Sequence, residues 1–226
     1  MPADLKQIYG RLGFSDQVVY SNFVTSLDGV VALGSTPNAG SMISGRNRAD
    51  RFLMGLLRAC ADAVLVGAGT LRATPGHLWT AEHIFPDLKD QFGELRRQLG
   101  REPQPHLVVL TKSGNVDRSH PAMIAGASLA SDVQDALTDL RRRGLNVVLT
   151  EGGPNVMGEL IKRSLVDEAF VTTSPVIAGR AREARLGMVQ GVELLPGHGV
   201  WSRLLSARRH GDYLFLRYDL RSSARP

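Results

Sequence analysis

Alternating strand and helix patterns, two glycine-rich strand-to-helix turns and a terminal strand pair together predict one α/β domain. Strands joined through helices run parallel, and a closing hairpin adds an antiparallel edge. The sheet is therefore expected to be mixed but mostly parallel, flanked by helices. No internal repeat or low-complexity linker divides the 226 residues. The domain is expected over residues 17–220. Residues 1–16 read as a lead-in, either a short helix or extended chain, and 221–226 as a disordered tail.

The elements follow in order. Residues 18–25 (VVYSNFVT) are apolar and β-branched, a first strand. Asp28-Gly29 signals a turn, and residues 30–33 resume the strand. A Gly/Ser/Pro/Asn-rich loop, 34–41, is polar enough to serve as a mobile flap. Ser44 is expected to cap the next helix. In that helix Ala49, Phe52, Leu53, Leu56, Leu57 and Cys60 stand at offsets of 0, 3, 4, 7, 8 and 11, an amphipathic stripe. Cys60 lies on the stripe as a small core residue, and Arg58 lies off it.

Residues 62–66 form a short buried strand that ends in Gly67-Ala68-Gly69-Thr70, the first glycine-rich turn. Residues 71–102 carry prolines and a charged helical segment, and are expected to be a loop plus a surface helix over 88–99. Residues 106–110 are the next strand, followed by Thr111-Lys112-Ser113-Gly114, and 127–130 a short one. Ser131 begins a helix in capping-box spacing to Gln134, with Val133, Ala136, Leu137 and Leu140 as its apolar face and Gly144 as its stop. Residues 166–173 form a further strand, 187–199 are glycine-rich and loop-like, and 201–208 and 213–220 read as a hairpin around His210-Gly211-Asp212.

The most informative stretch is NVVLTEGGPNVMGELIKRSL, residues 146–165. A buried strand, 147–150, stops at Glu151, Gly152 and Gly153. Pro154 then opens a helix, where its missing N–H is tolerated. Bare backbone at a helix N-terminus can approach a phosphate. Glu151 stands at the C-terminal end of the strand, where open α/β sheets place ligands. Taken alone, the same residues also describe a tight turn with a surface glutamate.

Composition narrows the partners. One cysteine excludes an intramolecular disulfide and a cysteine-rich metal site, and the six histidines show no metal spacing, so no metal is expected. A net charge of +5 and a pI of about 9.8 suit an anionic ligand. Arg141, Arg142 and Arg143 sit at a helix end, where they complement its dipole. Aromatics are sparse and not interleaved with basic residues, which argues against nucleic acid. No apolar run reaches bilayer length and no signal pattern opens the chain, so a cytoplasmic protein without membrane partners is expected.

Three segments together carry a resemblance: SLDG (26–29), LLRACADAVLVGAGT (56–70), and TEGGPN (150–155) continued by LVDEAFVTTSPVIAG (165–179). In this order and spacing the chain resembles the reductase domain of the riboflavin-biosynthesis deaminase/reductases, in a stand-alone form without the deaminase. The resemblance implies a dihydrofolate-reductase-like fold, NADPH as cofactor, a heterocyclic small-molecule substrate and a homodimer. It places Val24, Met42 and Thr70 on the nicotinamide side. Gly153, Pro154, Asn155 and Val156, with Gly152, would cradle the pyrophosphate, and Gly67 and Ala68 would join the cofactor site. Glu151 is implied as the catalytic and substrate-orienting carboxylate, and Arg58 and Leu78 as further substrate contacts. Thr111, Lys112 and Ser113 suit a 2′-phosphate by their chemistry, and equally suit an ordinary polar turn.

The chain departs from the family at Ala73-Thr74-Pro75-Gly76-His77-Leu78 and at Ala81, where paired aspartates and an arginine are missing. Leu78 and Trp79 then either cover an aromatic ligand face or pack on the sheet. The expectation is an NADPH-dependent reductase of a pyrimidine, pterin or related ring with a divergent substrate loop. The alternatives are a non-catalytic NADPH-binding protein and a module for another phosphorylated ligand.

Overall fold

The computed structural model describes residues 12–34, 36–179 and 185–221. The expected lead-in up to residue 11 and the tail from residue 222 lie outside the described residues. Ten strands are described: β1 (Val18–Thr25), β2 (Ala32–Leu33), β3 (Ala63–Gly67), β4 (His106–Leu110), β5 (Ser128–Ala130), β6 (Val147–Thr150), β7 (Glu168–Thr173), β8 (Arg185–Leu186), β9 (Arg203–His210) and β10 (Tyr213–Asp219). The helices are α1 (Ala39–Ile43), α2 (Arg48–Cys60), α3 (Ala68–Ala73), α4 (Ala81–Ile84), α5 (Lys89–Gln98), α6 (Pro121–Ile124), α7 (Val133–Arg142) and α8 (Pro154–Lys162).

Eight strands form one sheet in the order β5-β4-β3-β6-β1-β7-β10-β9. Every pair from β5 to β7 is parallel, and β10 and β9 close the sheet antiparallel. Alternate residues serve opposite faces, as the pleat requires. Tyr20, Val64 and Leu149 meet the stripe of α2, while Val19, Leu65 and Val148 meet the apolar faces of α7 and α8. The expected fold class therefore holds.

Several local expectations are corrected. The cap of α2 is Asn47, whose Oδ1 accepts from the N–H groups of Ala49 (2.9 Å) and Asp50 (3.1 Å). Ser44 instead ends α1, a short helix that begins within the stretch read as a flap and runs past its end. Asp132, not Ser131, caps α7, its Oδ1 accepting from Gln134 N at 2.7 Å. A carboxylate reaches those N–H groups better than the hydroxyl one position earlier. The hairpin turn narrows to Gly211-Asp212, with Gly211 at φ 57°.

The largest correction falls on residues 71–102. Trp79, Phe85 and Leu88 are buried in the core on α2, so the stretch read as a loop is part of the core, while α5 lies at the surface as expected and buries one face through Phe92. Arg96 of α5 is buried too, and its Nη1 donates to the carbonyls of Arg58 (3.0 Å), Ala59 (3.2 Å) and Ala61 (2.8 Å). These carbonyls end α2, where only that of Arg58 also accepts a backbone N–H, from Ala61 at 3.2 Å, so one cation serves the terminus and complements its dipole. Among the described residues no helix is long and apolar enough to cross a membrane.

Candidate active site

Beyond the C-terminal ends of the parallel strands lies a cavity of about 250 Å3. Its lining draws on Asn22 and Val24 of β1, Thr70 of α3, and Gly152, Gly153 and Pro154 between β6 and α8. Helix α2 contributes Asp50, Met54 and Arg58, and Glu151 follows β6. The three α2 positions are four residues apart, so they form a second stripe beside the one that enters the core. One helix thereby anchors the fold with one face and lines the site with another.

Arg58 and Glu151 form a buried ion pair. Arg58 Nε donates to Glu151 Oε1 at 3.1 Å and Nη2 to Oε2 at 2.6 Å, a two-pronged contact. Arg58 Nη1 donates to the carbonyls of Leu78 and Thr80, both at 3.3 Å, and Nη2 also to His77 Nε2 at 3.0 Å. A guanidinium carries five N–H donors. All five are engaged within the chain, so Arg58 orients Glu151 and the 77–80 loop, and the direct substrate contact expected of it has no free donor. His77 must accept from Arg58, which requires a bare ring nitrogen. Burial, with the guanidinium next to it, pushes the His77 pKa down to about 2.

The two glycines after Glu151 differ. A Cβ on Gly152 would lie 2.6 Å from Cβ and Cγ1 of Val156, so the strand–helix packing excludes one. A Cβ on Gly153 would meet only Thr70 Oγ1, at 3.6 Å, and would enter the cavity. The Val156 and Met157 N–H groups turn back to the Gly153 carbonyl, at 2.9 and 3.1 Å. The N–H groups of Gly153 and Asn155 have no partner among the described residues. Bare backbone, unpaired N–H groups and the start of α8 make a cradle that fits an anionic group such as a pyrophosphate.

The other expected residues are scattered. Thr111, Lys112, Asn155 and Val156 line a second depression, between the end of β4, the start of α7 and α8, together with Arg163. Ser113 is exposed and does not line it. Met42 is 60% exposed on α1, whose neighbours Gly40 and Ser41 line the cavity. Gly67 faces Val156, and Ala68 is packed in the core. Leu78 packs against the core and lies outside the cavity, contributing its carbonyl to Arg58, because the 77–80 loop turns that side chain away. Asp28 is a turn-former. Its Oδ1 accepts from Ser26 Oγ (2.6 Å) and Ala178 N (3.0 Å), and these bonds hold its carboxyl down at about 2.

Asp50 escaped the sequence reading. It is 3% exposed, and its side chain makes no ion pair among the described residues. Burial raises it from 3.8 to about 6, the hydroxyls of Thr172 and Ser44 pull it down, and Glu151 pushes it up. The available signal was its place four residues before Met54 and eight before Arg58 on one helix.

Sheet order, antiparallel edge and a cavity over the strand ends define a dihydrofolate-reductase-like α/β domain. Within that class, the chain belongs to the RibD C-terminal domain family, whose model matches residues 17–195. It is 23% identical over 189 residues to a 2,5-diamino-6-ribosylamino-4(3H)-pyrimidinone 5′-phosphate reductase of Archaeoglobus fulgidus, covering 71% of this chain and 81% of that one. A pyrimidine reductase-like protein of Corynebacterium diphtheriae superposes with a TM-score of 0.72 at 22% identity, over 96% of this chain and 98% of that one. RibD of Acinetobacter baumannii superposes with a TM-score of 0.69 at 17% identity, over 91% of this chain and 58% of that one.

Proposed function

We propose that the protein is an NADPH-dependent reductase of an unphosphorylated pyrimidine- or pterin-type ring. The observation that carries this reading is the convergence on one cavity of the bare helix start at Gly153 and the buried Arg58–Glu151 pair. A helix start suits the anionic linkage of a dinucleotide, and a fixed carboxylate suits the N–H groups of a heterocycle. NADPH would supply the hydride, and the chain would align it with the acceptor. In this reading Val24, Met42 and Thr70 lie beside the nicotinamide. Residues 152–156 hold the pyrophosphate, with Gly67 and Ala68 behind them. Thr111 and Lys112 meet the 2′-phosphate, with Ser113 outside the depression, and Glu151 orients the ring. A homodimer belongs to the same reading, supported by the outer edge strand β9, where Leu204 is 51% exposed.

The absence of a phosphate on the substrate is argued from the cations. A dianion needs a charged socket. Arg58 is fully engaged and His77 is held uncharged. Arg51, at the exposed rim, is the remaining cation among the described lining residues. NADPH oxidation is to be measured side by side with 7,8-dihydropterin and with 5-amino-6-(5-phosphoribosylamino)uracil. The expected result is turnover of the unphosphorylated ring and negligible reduction of the phosphorylated one. Efficient use of the ribose-phosphate compound, lost in Arg51→Ala, would assign the socket to Arg51 and overturn this part of the reading.

A further inference from the structure

The Arg58 cluster leaves one polar atom over, the second ring nitrogen of His77. Arg58 Nη2 carries two hydrogens; one meets Glu151 Oε2 at 2.6 Å and the other His77 Nε2 at 3.0 Å. Nε2 can accept only when it is bare. Burial of the ring and the neighbouring Arg58, His83 and His120 all oppose a positive charge on it. A neutral imidazole that is bare at Nε2 carries its hydrogen on Nδ1, so Arg58 fixes the tautomer. Among the described residues the His77 side chain has Arg58 as its one hydrogen-bond partner, which leaves the Nδ1–H without an acceptor.

The ring is held in place and lines the cavity. Trp79 meets it edge to face at a centroid distance of 4.9 Å and His83 at 4.7 Å, with interplanar angles of 78° and 88°. The plain role for such a ring is to fill space and give Arg58 its fifth acceptor. That role uses one nitrogen. The other adds an N–H to the cavity wall that also contains Glu151, on a loop whose carbonyls at Leu78 and Thr80 are tied to Arg58. A half-buried donor without a partner is disfavoured until an acceptor arrives.

Glu151 and His77 thus present opposite polarities around one guanidinium nitrogen. The carboxylate only accepts, and the protonated Nδ1 only donates. A lactam edge, a ring N–H beside a C=O, carries the complementary pair. We propose that His77 determines substrate specificity by donating its Nδ1–H to a ring carbonyl oxygen beside the N–H that Glu151 accepts. This inference rests on the reductase reading above and narrows it to rings with a lactam edge. The donor is uncharged, so it suits a neutral oxygen and supplies no charge for a phosphate. A poor acceptor at that place leaves the N–H unpaired, and a site built to hydrogen-bond its substrate discriminates against such an analogue.

The test compares NADPH oxidation with 7,8-dihydropterin and with its 4-thioxo analogue. The analogue keeps the ring N–H and replaces the carbonyl oxygen by sulfur, a weaker acceptor. Wild type should prefer the oxo ring. The ratio of the two kcat/KM values should fall about 10-fold or more in His77→Phe, which keeps a ring's shape without either nitrogen. His77→Asn, whose amide offers a donor near the Nδ1 position and nothing at Nε2, should keep most of the ratio. A ring that only supports Arg58 would slow both substrates alike and leave the ratio unchanged. Nitrogen-15 spectra of protein with labelled histidine, His77 being assigned by its loss in His77→Asn, should show the hydrogen on Nδ1 and a bare Nε2 at about pH 7. A hydrogen on Nε2, or a wild-type ratio in His77→Phe, overturns the assignment alone. Wild-type protein that binds NADPH yet reduces neither ring overturns the reductase reading and this assignment with it.

Discussion

Arg58 and Glu151, 93 positions apart, meet through two hydrogen bonds of 3.1 and 2.6 Å, with both side chains almost wholly buried. The pair joins the helix that carries the core stripe to the strand end that carries the site. Removing one partner strands a buried charge, which destabilises a protein by about 3–5 kcal/mol. Arg58→Ala should lose stability in that range in urea denaturation. Adding Glu151→Ala to it should recover part of the loss, and a strictly additive double variant would show that the pair is not coupled.

Glu151→Gln removes the charge and keeps the shape. It should leave NADPH affinity nearly unchanged and lower turnover, read by calorimetry and by NADPH oxidation. Loss of NADPH binding with activity retained would reverse the assignment of Glu151 to the substrate.

Gly152 and Gly153 should respond oppositely to a side chain. Gly152→Ala places a Cβ 2.6 Å from Val156 and should lower stability by about 1–3 kcal/mol through overpacking. Gly153→Val, whose backbone lies at φ −69° where any residue is comfortable, should fold normally and lose NADPH. A folded Gly153→Val protein with an unchanged dissociation constant would remove the pyrophosphate from this turn.

Lys112→Ala should narrow the preference for NADPH over NADH by ~1–2 kcal/mol if its charge meets the 2′-phosphate. Titration of both cofactors into both proteins reads the difference. Equal affinities in wild type would remove the phosphate from this depression.

Asp50 sets a pH dependence of stability. Its folded pKa, about 6, lies above the unfolded value of 3.8. Between these values the folded state holds the extra proton, so stability falls as pH rises through the window and stays lower above it. The displacement corresponds to about 3 kcal/mol. Asp50→Asn should therefore gain stability over wild type at pH 8, and the gain should vanish near pH 4. Equal differences at the two pH values would show that the carboxyl titrates normally.

Local pattern made most of the architecture legible. The offsets from Ala49 to Cys60, the β-branched runs of β1, β3 and β6, and the terminal hairpin all record burial on one face, and periodicity is a direct trace of burial. Cap positions were less legible, as Ser44 and Ser131 illustrate. A hydroxyl and a nearby amide or carboxylate oxygen compete for the same N–H groups, and only backbone geometry selects Asn47 and Asp132.

By itself, the sequence determined the α/β class, the order of the sheet's eight strands and of the longer helices, and the glycine turn at 151–154 that ends a strand beside the cavity. These depend on neighbours within a turn or two, whose spacing the chain writes out. Tertiary structure alone decided that Trp79 and Phe92 are core, that Leu78 turns away from the cavity, and that Arg58 is engaged within the chain. It also decided that Asp50 stands buried opposite Glu151, 101 positions later in the chain. A charge in a sequence carries no mark of whether water, a partner or a cavity will surround it. That is settled by which distant segments pack against it, and packing of distant segments leaves no local period to read.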